Sequence, residues 1–152
     1  MAELVPALVG THGLVAGECF ILERGVEVVI GRSRSCDISL RRVPNYLKAA
    51  PATRDDDHDF NTVSRRHASV RVQGSTAEVR DTSTNGTSVN GEPVRDRATV
   101  DLATGTVQLR LGTRETFDFA LLPPDDARVA NRKPIAAAAA ANDTRPSHHD
   151  HD

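Results

Sequence analysis

At 152 residues, 38% hydrophobic and 26% charged, the chain is long enough for one domain with extensions that buries a core without covalent staples. A net charge of −2 gives the chain as a whole no pull on nucleic acid, two cysteines (Cys19, Cys36) make no disulfide framework, and no apolar run reaches transmembrane length. Met1-Ala2-Glu3-Leu4 lacks the basic start and apolar run of a secretion signal, so a reducing, cytoplasmic location without a membrane partner is expected.

From residue 4 to 122 the chain reads as short β-like runs. In order these are Ala7–Val9, Cys19–Leu22, Val26–Ile30, Ala68–Val72, Ala77–Arg80, Thr106–Leu111 and Thr116–Leu121. Several alternate apolar and polar residues, the period-2 pattern of a half-buried strand. Gly13, Gly17, Gly25, Gly74, Asn85-Gly86, Asn90-Gly91 and Gly105 punctuate them. Asn90-Gly91 predicts a type I′ turn between two strands. The spacing argues for an all-β sandwich or barrel. Two segments break it. Residues 41–62 are a long interruption, with a helical turn or two expected over Pro44–Ala50. From Pro123 to Asp152 a tail with an alanine run, Ala136–Ala141, and a His/Asp end, His148–Asp152, is expected to be disordered apart from a frayed helix at the alanines.

Three motifs lie where strand-like runs meet loops: Gly31-Arg32-Ser33-Arg34-Ser35-Cys36-Asp37, Ser64-Arg65-Arg66-His67, and Asp81-Thr82-Ser83-Thr84-Asn85-Gly86-Thr87-Ser88-Val89-Asn90-Gly91. In a sandwich such loops gather at the ends and can share one site. A phosphate monoester carries about −1.5 to −2 charges and three acceptor oxygens. It calls for a guanidinium and for hydroxyl or backbone donors, which Arg32, Ser64 and Thr84 can supply. Asn85 can both donate to and accept from a peptide backbone. Gly31 and Gly86 are expected to permit the tight turns that aim these groups. His67 reads as a structural hydrogen-bonder at a strand entrance. Of the 19 basic residues only Lys48 and Lys133 are lysine, a bias that fits either genome composition or planar forks suited to phosphate.

In combination, G-R-x(4)-D, S-R-x-H and S-x-N-G-T-x-x-N-G resemble the forkhead-associated (FHA) family, over roughly residues 7 to 122. The resemblance implies a two-sheet β-sandwich of about eleven strands, with an FHA-like domain over 4–122 and a tail over 123–152. It implies recognition of phosphothreonine in an extended peptide. Phosphate contacts then fall on Arg32, Ser64 and Thr84, and peptide-backbone contacts on Arg65 and Asn85. Gly31, His67 and Gly86 support the site. The implied partners are phosphothreonine-containing proteins, among them a Ser/Thr kinase or its substrate. No catalytic residue, metal or cofactor is expected, and no nucleic acid.

The departure from the family is the insertion at 41–62, where relatives use a handful of residues. It ends just before Ser64. It is either a solvated excursion or a specificity loop anchored by Tyr46, Leu47 and Phe60. In the second case Arg41, Arg42, Lys48 and Arg54 favour acidic residues after the phosphothreonine, and the Asp55–Asp59 run repels basic ones. A phosphate-independent scaffold on the same fold is the alternative function, though it has no need of Arg32, Ser64, Thr84 and Asn85 together. An enzyme finds little support, because no metal motif, phosphate loop or nucleophile elbow occurs.

Overall fold

The computed structural model describes residues 4–51 and 56–129. Strand β1 (Val5–His12) is followed by a 3-10 turn (Gly13–Val15), β2 (Cys19–Ile21), β3 (Val28–Gly31) and β4 (Ile38–Ser39). Two short helices, α1 (Pro44–Lys48) and α2 (His58–Asn61), precede β5 (Ala68–Gln73), β6 (Thr76–Asp81), β7 (Thr87–Val89), β8 (Glu92–Pro93) and β9 (Arg97–Asp101). A second 3-10 turn (Leu102–Thr104) leads into β10 (Val107–Leu111) and β11 (Glu115–Leu122). The strands form two sheets, one ordered β2-β1-β11-β10-β7-β8 and the other β4-β3-β5-β6-β9. This is the two-sheet sandwich the sequence predicts. No helix among the described residues is long and apolar enough to cross a membrane.

Alternation decides which way each strand faces. In β10 Val107, Leu109 and Leu111 are buried while Gln108 and Arg110 are exposed. The same logic turns Val70 and Val72 of β5 inward and Arg71 and Gln73 outward. Leu8, Val28, Ile30, Val70, Val79, Leu109, Phe117 and Phe119 fill the space between the sheets. Burial of each large apolar side chain contributes about 1.5–3 kcal/mol relative to exposure. Asn90 and Gly91 adopt φ of 51° and 83°, and Val89 pairs with Glu92 across them, as a type I′ turn requires.

Some elements differ from the sequence reading. Strand β3 starts later than Val26 and takes in Gly31. Strand β4 pairs in parallel with β3, Ile30 opposite Ile38, and so draws residues 32–37 into a closed loop. The described part of the insertion is no solvated excursion. Val43, Tyr46, Phe60 and Val63 join the main core, and the Tyr46 and Phe60 rings stack with centroids 5.1 Å apart. Leu47, expected as a third anchor, is 59% exposed instead. In a helix this short only one side reaches the core, and Tyr46 occupies it. The Asn45 carboxamide ties α1 to the first 3-10 turn, donating to the Leu14 and Ala16 carbonyls at 3.0 and 3.1 Å.

Residues 123–129, assigned to the tail on sequence, turn back on the six-stranded sheet. Val129 is buried there against Ala7, Cys19, Ile21, Ala120 and Leu122, on the face opposite the main core. The rest of the expected tail, with the alanine run and the His/Asp end, lies outside the described residues.

Candidate functional site

Four connections meet at one end of the sandwich: residues 32–37 after β3, residues 62–67 before β5, residues 82–86 after β6, and the β10–β11 turn at 112–114. Backbone bonds join them. Arg32 N–H donates to the Ser64 carbonyl (3.1 Å), Ser33 N–H to the Arg65 carbonyl (3.0 Å) and Gly112 N–H to the Gly86 carbonyl (3.0 Å). Gly31 makes the first contact possible. A methyl group there would collide with the Arg65 and Ser64 carbonyl oxygens. Its role is therefore close approach between backbones, not the tight turn the sequence suggests. Gly86, at φ 99°, does occupy the left-handed region that suits glycine in a turn.

His67 clamps two of these loops from inside. It has no exposed surface. Its Nδ1 accepts the Ser64 N–H at 3.0 Å, and its Nε2 lies 2.8 Å from the Gly86 carbonyl oxygen. A backbone N–H can only donate and a carbonyl can only accept, so the ring is neutral with its proton on Nε2. Burial pushes its pKa below the ordinary imidazole value, and the Gly86 carbonyl and the Asp81 charge oppose this only in part.

The loop after β6 is organised by Asp81. Its Oδ1 accepts from Ser83 N–H (3.1 Å), Ser83 Oγ (2.5 Å) and Thr87 Oγ1 (2.9 Å). Ser83 Oγ accepts in turn from Gly86 N–H at 2.7 Å. The result presents Thr84 and Asn85, both exposed, toward the neighbouring loops. Ser64 Oγ accepts the Thr84 N–H at 3.0 Å and retains its own proton to donate. Asn85 Nδ2 donates to the Thr62 carbonyl at 3.0 Å, which leaves Oδ1 to accept. Arg32 Nε donates to the Val63 carbonyl. Arg65 is exposed, and its carbonyl also accepts the Cys36 thiol at 3.0 Å.

Arg32 and Thr84 are thus each linked to Ser64, through Arg32 N–H to Ser64 O and Thr84 N–H to Ser64 Oγ. Arg65 adjoins Ser64, and Asn85 adjoins Thr84. The set offers guanidinium, hydroxyl and amide donors around one surface, with no carboxylate among these five side chains. A family model for the FHA domain matches residues 28–112, more than half of the chain and a span containing all three motifs. The chain belongs to the FHA family. An FHA domain solved in a structural and functional analysis of phosphothreonine-dependent FHA interactions is 28% identical, with a TM-score of 0.53 over 78% of this chain and 98% of that one. Two more distant neighbours share the fold. The FHA domain of a Chlamydia trachomatis protein is 21% identical with a TM-score of 0.56, covering 76% of this chain and 96% of that one. The yeast Dun1 FHA domain, in complex with a doubly phosphorylated peptide, is 22% identical with a TM-score of 0.53, covering 88% and 85%. No curated protein sequence matches the chain.

In this FHA domain two acids of the insertion, Asp57 and Asp59, are turned toward its own frame. Asp57 caps α2, accepting from the Asp59 and Phe60 N–H groups at 3.1 and 3.3 Å. It also pairs with Arg114 of the β10–β11 turn at 2.8 Å, and Asp59 Oδ1 accepts from Thr113 Oγ1 at 2.7 Å. Burial alone would raise the Asp57 pKa, but the Arg114 and α2 hydrogen bonds bring it below the ordinary value. Arg114 also reaches Glu115 at 2.9 Å, a fully buried carboxylate that accepts the Val15 N–H at 3.2 Å. Burial pushes the Glu115 pKa up against the pull of Arg114. So Asp57 and Asp59 hold the loop in place, where the sequence suggests a charge aimed at ligand. The motif reading also left Asp81 without a role. The spacing Asp81-x-Ser83, an aspartate bonding the backbone two residues on, was the signal for it.

Proposed function

We propose that this FHA domain is a phosphothreonine-dependent protein-interaction module. Arg32 supplies the charge for the phosphate, and the Ser64 hydroxyl and Thr84 supply neutral donors. Arg65 and Asn85 hold the backbone of an extended peptide. The observation that carries the reading is the double tie at Ser64, whose carbonyl fixes Arg32 and whose hydroxyl fixes Thr84. Three loops distant in sequence are held at one point before any ligand arrives, which lowers the ordering cost of binding. The 28%-identical neighbour from work on phosphothreonine-dependent interactions supports the same ligand class. A partner is then a protein phosphorylated on threonine by a Ser/Thr kinase, or the kinase itself.

The site acts by binding and not by turnover. Both ring nitrogens of His67 are engaged with backbone, and Nδ1 takes the Ser64 amide proton, not the hydroxyl proton. His67 is therefore not placed as a base for the Ser64 hydroxyl. The deciding experiment is calorimetry with a phosphothreonine peptide chosen from an oriented library, alongside its unphosphorylated twin. Arg32→Ala is expected to remove about 2–5 kcal/mol of binding and leave the fold intact. Unchanged affinity would sink the assignment. Equal binding of the unphosphorylated twin would favour a phosphate-independent scaffold, and phosphopeptide or ester hydrolysis abolished by His67→Ala would revive an enzyme.

A further inference from the structure

We infer that Phe60, carried in by the insertion, is a positioning residue for Arg32, so that the insertion completes the phosphate site from beneath. This deepens the function proposed above and rests on its assignment of Arg32 to phosphate. The Phe60 ring is 1% exposed. The Arg32 guanidinium carbon lies 5.7 Å from its centroid, and that of Arg41 lies 5.3 Å away. Tyr46 stacks on the same ring at 5.1 Å, with 29° between the planes. The last residue of the insertion and the one after it complete the hold. The Val63 carbonyl accepts Arg32 Nε, and the Thr62 carbonyl accepts Asn85 Nδ2 at 3.0 Å. One turn of the insertion thus touches both the phosphate arginine and the peptide-backbone asparagine.

A guanidinium on a long flexible stem loses rotamer freedom when it grips a ligand. Stacking on an aromatic face and tying Nε to a carbonyl remove most of that freedom in advance. The ring is itself well founded. Asp57 caps the helix that carries Phe60, and Arg114 pins Asp57 to the turn before β11 at 2.8 Å. The insertion is accordingly built as a buttress.

The test separates ring electrons from ring shape. Phenylalanine carrying one, two or three fluorines, placed at position 60 alone, weakens the cation–π contact stepwise at nearly constant packing. Affinity for the library-selected phosphothreonine peptide is expected to fall with each fluorine, to a total of about 3- to 30-fold. Thermal stability should stay nearly level. Side-chain ¹⁵N relaxation of Arg32 Nε is expected to show greater mobility in Phe60→Leu without ligand. Affinity flat across the series, or Arg32 Nε equally ordered in Phe60→Leu, would overturn the inference. A protein that selects the phosphorylated peptide yet ignores fluorination would remove Phe60 from the site and leave the phosphate reading standing. A protein blind to phosphate from the outset would overturn both.

Discussion

Truncation of His67 to alanine should loosen the site and the fold together. The Ser64 N–H loses its acceptor, and the Gly86 carbonyl loses one of two donors, keeping Gly112 N–H at 3.0 Å. A stranded buried donor costs about 1–3 kcal/mol and the second lost bond about 0.5–1.5 kcal/mol. The cavity left by the ring adds about 1–2 kcal/mol. The expected total is about 2.5–6.5 kcal/mol, or a fall of about 10–25 °C in melting temperature for a domain of this size. The effect carries a pH signature. Burial lowers the folded-state pKa of His67, so its contribution is complete above the unfolded value of about 6.5. It is lost as pH falls through that value toward the lowered one. Urea unfolding of wild type and His67→Ala should show the full gap at pH 8 and a smaller gap at pH 5. Taking the difference cancels titrations common to both proteins, such as Glu115. A gap below about 1 kcal/mol at pH 8 would refute the clamp, since even one stranded buried donor costs that much. A gap that holds or widens in acid would refute the neutral ring.

Gly31→Ala should push β3 off the Ser64–Arg65 backbone and cost about 1–3 kcal/mol in chemical denaturation, with weaker phosphopeptide binding alongside. Retention of both would show that the close approach can relax. Phosphothreonine should bind better than phosphoserine in matched peptides, by at least about 0.8 kcal/mol if its methyl is buried in a niche near Asn85 and Gly86. Equal affinities by calorimetry would contradict the niche. Asp57→Asn keeps a capping side chain but loses the ion pair with partly exposed Arg114, so a cost of about 0.5–1 kcal/mol is expected at neutral pH. Because the Asp57 pKa is lowered in the fold, that difference should be full above about pH 3.9 and vanish as pH falls below it. A difference unchanged in acid would point to the cap and away from the charge.

What the sequence made legible follows from period and length. Strands β5, β6 and β10 announce themselves because one face of each is drier than the other, while β11, covered on both faces, shows as an apolar run. Strand β4 is only Ile38–Ser39, too short to show a period, and β9 is an edge with no fully buried residue. The three motifs could be placed because each abuts a readable strand. The insertion is delimited by its sequence, but its fold is not legible there. Tyr46 and Leu47 are adjacent apolar residues on a five-residue helix, and which one turns inward depends on a ring, Phe60, fourteen positions away. The charges of Asp57 and Asp59 were equally visible, yet their partner Arg114 comes more than fifty residues later in the chain, and no local pattern points to it. Gly31 shows the same limit. Its need for a missing methyl arises from the Arg65 carbonyl, which only tertiary pairing brings near.

The pairing of β1 with β11 sets how the domain bears load. Val5 lies opposite Leu122, while the turn that meets the binding loops sits at the other end of β11, about 25 Å away along eight residues. A force parting Val5 from Leu122 acts across the ladder and opens its hydrogen bonds one at a time, like a zip. A force between either of those residues and the loops around Arg32 runs along the strands and must shear many bonds at once. The sandwich is therefore soft between Val5 and Leu122 and stiff between either of them and the loops at the far end.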